Sequence, residues 1–121
     1  MVKAKILLID DEIDLVETVK LRLQTNDYEV RVAYDGHQAL ESLGDFKPDL
    51  IILDLKLPLM SGEEVYKLLK LSPVAEKVPV ILFTASKEDV ETLKIGAEGF
   101  IKKPFESKDL LETIQKLLSK N

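Results

Sequence analysis

Cysteine and tryptophan are both absent from the 121 residues, and there are only five glycines and five prolines. Without cysteine there is no disulfide scaffold, no thiol nucleophile and no thiolate metal site. Long apolar runs are also missing. The longest are about five residues, against the roughly 18 needed to cross a bilayer. The N-terminus enters a short apolar segment directly after Lys3 and Lys5, which is not the pattern of a signal peptide, so a cytoplasmic location is expected. No basic stripe is present to neutralise phosphates, and direct nucleic-acid binding is not expected. The length fits one domain over residues 1–121. With 45% hydrophobic and 32% charged residues, it has the composition of an ordinary globular chain.

The net charge of −5 is unevenly spread. Residues 1–60 hold seven Lys/Arg and 12 Asp/Glu, whereas residues 61–121 hold ten of each. Acidic excess by itself serves solubility. It bears on function only where the acids converge in space.

Two kinds of segment alternate. Lys5–Ile9, Leu50–Leu53 and Val80–Phe83 are continuous apolar runs, ending at Asp10, Asp54 and Thr84. Tyr28, Val30 and Val32 alternate with Glu29 and Arg31, the pattern of a half-buried edge strand. Gly99–Ile101 is a short strand that ends at Lys102-Lys103-Pro104. Between these lie five stretches with helical periodicity. The first carries Ile13, Val16, Val19 and Leu23. The second is capped by Asp35 and carries Ala39, Leu40 and Leu43. The third carries Val65, Leu68 and Leu69. The fourth starts at Ser86 with Val90 and Leu93, and closes at Gly96. The last is capped by Ser107 and carries Leu110, Leu111, Ile114, Leu117 and Leu118. Strict alternation predicts an α/β fold of five βα units, a doubly wound parallel sheet of flavodoxin-like order 2-1-3-4-5.

In an open parallel sheet ligands bind beyond the carboxyl ends of the strands, where the strand order reverses. Here those ends carry Asp10 and Asp11, Asp54, Thr84, and Lys102 with Lys103. Three clustered carboxylates repel one another unless a cation sits among them. Oxygen ligands alone favour Mg²⁺, and with His37 the only histidine, zinc is implausible. A carboxylate beside a divalent cation can attack phosphorus and form an acyl phosphate. A lysine and a hydroxyl can then hold the phosphoryl oxygens. Each residue alone has a plainer reading: caps and first-turn acids for Asp10-Asp11-Glu12, a turn residue for Thr84, and solvated charge for Lys102 and Lys103. Their joint placement at successive strand ends argues for a site. Lys102 keeps the plainer reading, as do His37, Tyr28, Tyr34 and Tyr66.

The stretches Ile9-Asp10-Asp11-Glu12, Pro48 to Asp54, Phe83-Thr84-Ala85 and Gly96 to Phe105 together resemble a bacterial response-regulator receiver domain of the two-component phosphorelay. The resemblance runs the length of the chain. It implies Asp54 as phosphoacceptor, and a Mg²⁺ site of Asp10, Asp11, Asp54 and the Lys56 carbonyl. It implies Thr84 and Lys103 as phosphoryl-oxygen ligands, Phe100 as an aromatic switch working with Thr84, and a cis peptide before Pro104. The implied partners are a sensor histidine kinase or histidine phosphotransfer protein and a downstream protein target, with no direct nucleic-acid or membrane contact. The implied activity is limited to self-phosphorylation and slow self-dephosphorylation. The twelve-residue step from Thr84 to Gly96 is short for the family and bears on its output face, formed by the fourth helix, the fifth strand and the fifth helix. The alternatives are a pseudo-receiver that binds a partner without phosphorylation, and a Mg²⁺-dependent phosphohydrolase with an aspartate nucleophile. The second is disfavoured because Lys56 stands where a second acid is needed and no insertion could form a cap.

Overall fold

A computed structural model of the chain describes residues 2–85 and 96–119. Five parallel strands form one sheet in the order β2-β1-β3-β4-β5, as expected. The strands are β1 (Ala4–Ile9), β2 (Tyr28–Ala33), β3 (Leu50–Asp54), β4 (Val80–Thr84) and β5 (Gly99–Lys102). The described helices are α1 (Ile13–Gln24), α2 (Gly36–Ser42), α3 (Gly62–Leu71) and a C-terminal helix (Ser107–Leu118). Residues 86–95, where the helix closed by Gly96 is expected, lie outside the described residues.

The continuous apolar runs occupy the middle of the sheet because both of its faces are covered. Every residue of β3 and β4 is buried, as are Ile6 to Ile9 of β1. Side chains alternate between faces, so the core divides into two layers. Ile6, Leu8, Ile52, Ile81 and Phe83 pack with α1 and the C-terminal helix. Leu7, Ile9, Leu53, Val80 and Leu82 pack with α2 and α3. In β2, Val30 and Val32 are half-buried, as an edge strand requires.

The helical stripes are narrower than the sequence suggests. Val16, Val19 and Leu23 of α1 are buried, but Ile13, the first residue of the helix, is 65% exposed. Val65 and Leu69 bury the inner side of α3, while Leu68 lies at its margin and is exposed. Leu110, Ile114 and Leu117 form the buried face of the C-terminal helix, with Leu111 and Leu118 packed beside it. Asp35 caps α2 by accepting from the Gln38 N–H. Ser107 is not a cap. It is the first helical residue, and Glu106 holds the cap position without a side-chain bond.

The connection from β3 to α3 fixes the backbone immediately beyond Asp54. Gly62 packs so tightly that a Cβ there would lie 2.5 Å from the Leu55 Cα and 2.6 Å from the Asp54 carbonyl oxygen. Both are far inside van der Waals contact, so only glycine fits. Its N–H donates to the Leu55 carbonyl at 3.0 Å. Between them, Leu59 adopts φ 68° in a tight turn closed by the Met60 N–H on the Pro58 carbonyl, and its side chain is 84% exposed.

Candidate functional site

The ends of β1, β3 and β4 and the turn after β5 meet in a cleft of about 300 Å³, lined by Asp11, Glu12, Asp54, Leu55, Lys56, Thr84, Ala85 and Lys103. Asp10 lies beneath it, fully buried. The backbone registers bring these positions level. Ile9 pairs with Leu53, Asp54 with Phe83, and Thr84 with Lys102. The Lys103 N–H then donates to the Thr84 carbonyl at 2.7 Å, extending the β4–β5 ladder by one step and setting Lys103 over the cleft. The Lys103–Pro104 peptide is cis, as expected.

Lys103 is the electrostatic centre. Its Nζ donates to Glu12 Oε1 at 2.8 Å, to Asp10 Oδ2 at 2.9 Å and to Asp54 Oδ2 at 3.3 Å. An ammonium has three donors, and three carboxylates take them. The second oxygen of each aspartate is held by backbone: Asp10 Oδ1 accepts from the Glu12 N–H at 2.9 Å, and Asp54 Oδ1 from the Lys56 N–H at 3.0 Å. The Phe83 ring lies 5.7 Å from the ammonium and contacts Phe105 at 4.8 Å between centroids.

These contacts set the protonation of the pair. Burial pushes the Asp54 carboxyl up to about 6, and the nearby Asp10 charge adds to this, while the Lys56 N–H and Lys103 oppose it. Burial works against charge on Lys103, but its bonds to Glu12 and Asp10 and the field of Asp54 outweigh it and raise the ammonium above the usual lysine range. One cation therefore stays among three acids, leaving an excess of negative charge.

That excess suits a hard divalent cation. One oxygen each from Asp10, Glu12 and Asp54 lies within 4.8 Å of the others. An all-oxygen set open to water on one side fits Mg²⁺ and offers a softer metal nothing. This group brings the expected Asp10 and Asp54 together with Glu12, and the expected Asp11 lines the same cleft. The sequence shows Glu12 only as a first-turn acid, since the lysine that draws it into the cluster is 91 residues away. Lys56 is anchored to Asp54 through its N–H. Thr84 is buried at the cleft wall. Phe100 sits on β5 and is 41% exposed, and Lys102 points outward beside it. His37 is exposed on α2, away from the cleft.

The sequence matches the family described as "Response regulator receiver domain" over residues 6–115. The chain belongs to the response-regulator receiver family. Among curated relatives, this receiver domain is 34% identical to the DNA-binding response regulator MtrA of Mycobacterium tuberculosis, an alignment that covers 98% of this chain and 52% of that protein. The chain thus spans about half the length of the curated relatives it matches. That relative's name lends no support to the expectation that nucleic acid is excluded. Two solved structures share the fold. The chemotaxis response regulator CheY4 of Vibrio cholerae has a TM-score of 0.84 at 33% identity, over 93% of this chain and 97% of that one. The receiver domain of the sensor histidine kinase PA1611 from Pseudomonas aeruginosa has a TM-score of 0.88 at 27% identity, over 96% and 98%. The latter is described with a magnesium ion coordinated in its active-site cleft. The receiver domain has no helix among its described residues long and apolar enough to cross a membrane.

Proposed function

We propose that this receiver domain is a phosphorylation switch in which Asp54 is the phosphoacceptor. The carrying observation is the state of Asp54. It is a nearly fully buried carboxylate at the carboxyl end of β3, with one oxygen held by the Lys56 N–H and the other by Lys103, facing an open cleft. A nucleophile oriented in this way meets its electrophile with little further ordering.

An Asp54 oxygen attacks the phosphorus of a phosphohistidine, on a sensor kinase or phosphotransfer protein, or of a small phosphodonor. An O–P bond forms while the donor's bond to phosphorus breaks, and the electron pair leaves with the donor, an imidazole taking up a proton from water and a carboxylate departing as the anion. By the family resemblance Asp10, Asp11, Asp54 and the Lys56 carbonyl would hold Mg²⁺, which when bound would offset the charge on the transferring oxygens. Lys103 exchanges its bond with Asp54 for one to a phosphoryl oxygen, and the Thr84 hydroxyl donates to another. Water later cleaves the acyl phosphate, and this self-dephosphorylation is the only turnover assigned. The added charge and acceptor oxygens pull Thr84 inward. Phe100, one strand away, then rotates, and the surface around β5 and the C-terminal helix shifts its population towards a form that a downstream protein recognises.

The test is intact-mass spectrometry after incubation with acetyl phosphate and Mg²⁺. One added phosphoryl group is expected, absent in Asp54→Asn and with a chelator. Uptake by Asp54→Asn would overturn the assignment. If beryllofluoride binding and phosphoryl uptake were both absent from the native chain, docking without phosphorylation would replace it.

A further inference from the structure

Lys103 faces a conflict that its three bonds expose. The same ammonium occupies oxygens of Asp10 and Asp54, which a divalent cation needs. Two cations cannot share those oxygens without repulsion. Yet the ammonium must remain at the cleft to meet a phosphoryl group. Its third partner resolves this. Glu12 makes the shortest of the three bonds, 2.8 Å, and unlike the other two acids it is solvent-exposed, its side chain 59% accessible against 0% and 6%. It lies at the entrance to α1 and uses its carboxylate on Lys103, making no side-chain bond to cap the helix. It is the one acid of the three that can follow the ammonium outward.

We propose that Glu12 is a positioning residue that retains Lys103 at the rim of the cleft when a divalent cation takes Asp10 and Asp54. This rests on the reading of the cleft as a Mg²⁺ site, and it makes Glu12 act through Lys103 and not as a metal ligand. Without Glu12 the ammonium's partners among the described residues are the two buried aspartates, and it competes with the incoming cation for both.

The test is a double-mutant cycle on Mg²⁺ affinity, measured by titration calorimetry on the unphosphorylated chain. Native protein, Glu12→Gln, Lys103→Met and the double variant are compared. If Glu12 acts through Lys103, Glu12→Gln weakens Mg²⁺ binding about five-fold in the native background and less than about two-fold once Lys103 is methionine. Equal factors in both backgrounds would overturn the proposal, because a direct ligand or a long-range charge acts whether or not the lysine is there. Should Lys103→Met fail to fold, Glu12→Asp decides the matter. It keeps the charge and shortens the reach, so affinity between those of Glu12→Gln and the native chain supports the contact, and affinity equal to the native overturns it. Failure of the native chain to bind Mg²⁺ at all would instead defeat the underlying reading of the cleft. That outcome is separate from additivity in the cycle.

Discussion

The two ends of the sheet use the same kinds of residue in opposite ways. At the amino ends, charged side chains tie down backbone. Asp49 accepts the Lys5 N–H at 2.8 Å, Glu98 accepts the Val80 N–H at 2.7 Å, and Lys70 donates to the Val78 carbonyl at 2.9 Å. Asp49 and Glu98 are exposed, so water can replace much of what each bond supplies. At the carboxyl ends, Asp10, Asp54 and Lys103 are largely withdrawn from water, and the lysine bonds both aspartates. Burying like charges costs stability that the amino end does not give up. The contrast separates a seam that holds the fold from a cleft kept electrically strained for use.

Substitutions at the two ends should therefore differ in size and kind. The largest loss is expected from Lys103→Met, which leaves Asp10 and Asp54 without their counter-ion. In divalent-free buffer, urea unfolding should show a loss of about 3 kcal/mol, partly restored by Mg²⁺. Asp54→Asn should do the reverse. The folded chain holds the Asp54 proton up to about pH 6, whereas a normal carboxyl releases it near 3.8. Between those values the folded state binds more protons at this group, so its contribution to native stability falls as pH rises. The asparagine variant should escape this fall and gain about 2 kcal/mol on the native chain at pH 7 without Mg²⁺. A stability difference between the native chain and the asparagine variant that stays constant through this window would contradict the buried-charge account.

Gly62→Ala should cost a further amount of about 2 kcal/mol, from the overlap with the Leu55 and Asp54 backbone. Because the overlap displaces the segment that carries Asp54 and Lys56, calorimetry should also show weaker Mg²⁺ binding. At the amino end, Asp49→Ala should cost about 1 kcal/mol and leave Mg²⁺ affinity unchanged. The smallest effect is expected at the edge strand, where Arg31 pairs with Asp45 at 3.1 Å with both side chains exposed. Asp45→Asn should lower the unfolding free energy by no more than about 0.5 kcal/mol, and by less in high salt.

The strands and their order were legible because a two-sided sheet demands unbroken apolar runs, and the acids stand immediately after those runs. Asp10, Asp54, Thr84 and Lys103 could be read as one site for that reason. Glu12 could not, since its role is set by a lysine that only the fold brings near. Ile13 and Leu68 fit the helical spacing but lie at the margins of their stripes, where periodicity does not distinguish contact with the core from contact with water. Ser107 has the chemistry of a cap, but the helix starts one residue earlier than the serine would need.

The turn that bears Leu59 has a practical consequence. It projects an 84% exposed side chain five positions beyond Asp54, in a chain that has no cysteine. Leu59→Cys would supply a lone thiol for a fluorescent label beside the cleft but outside it. Ion binding and phosphoryl arrival could then be followed optically, in real time, in a chain with no tryptophan of its own.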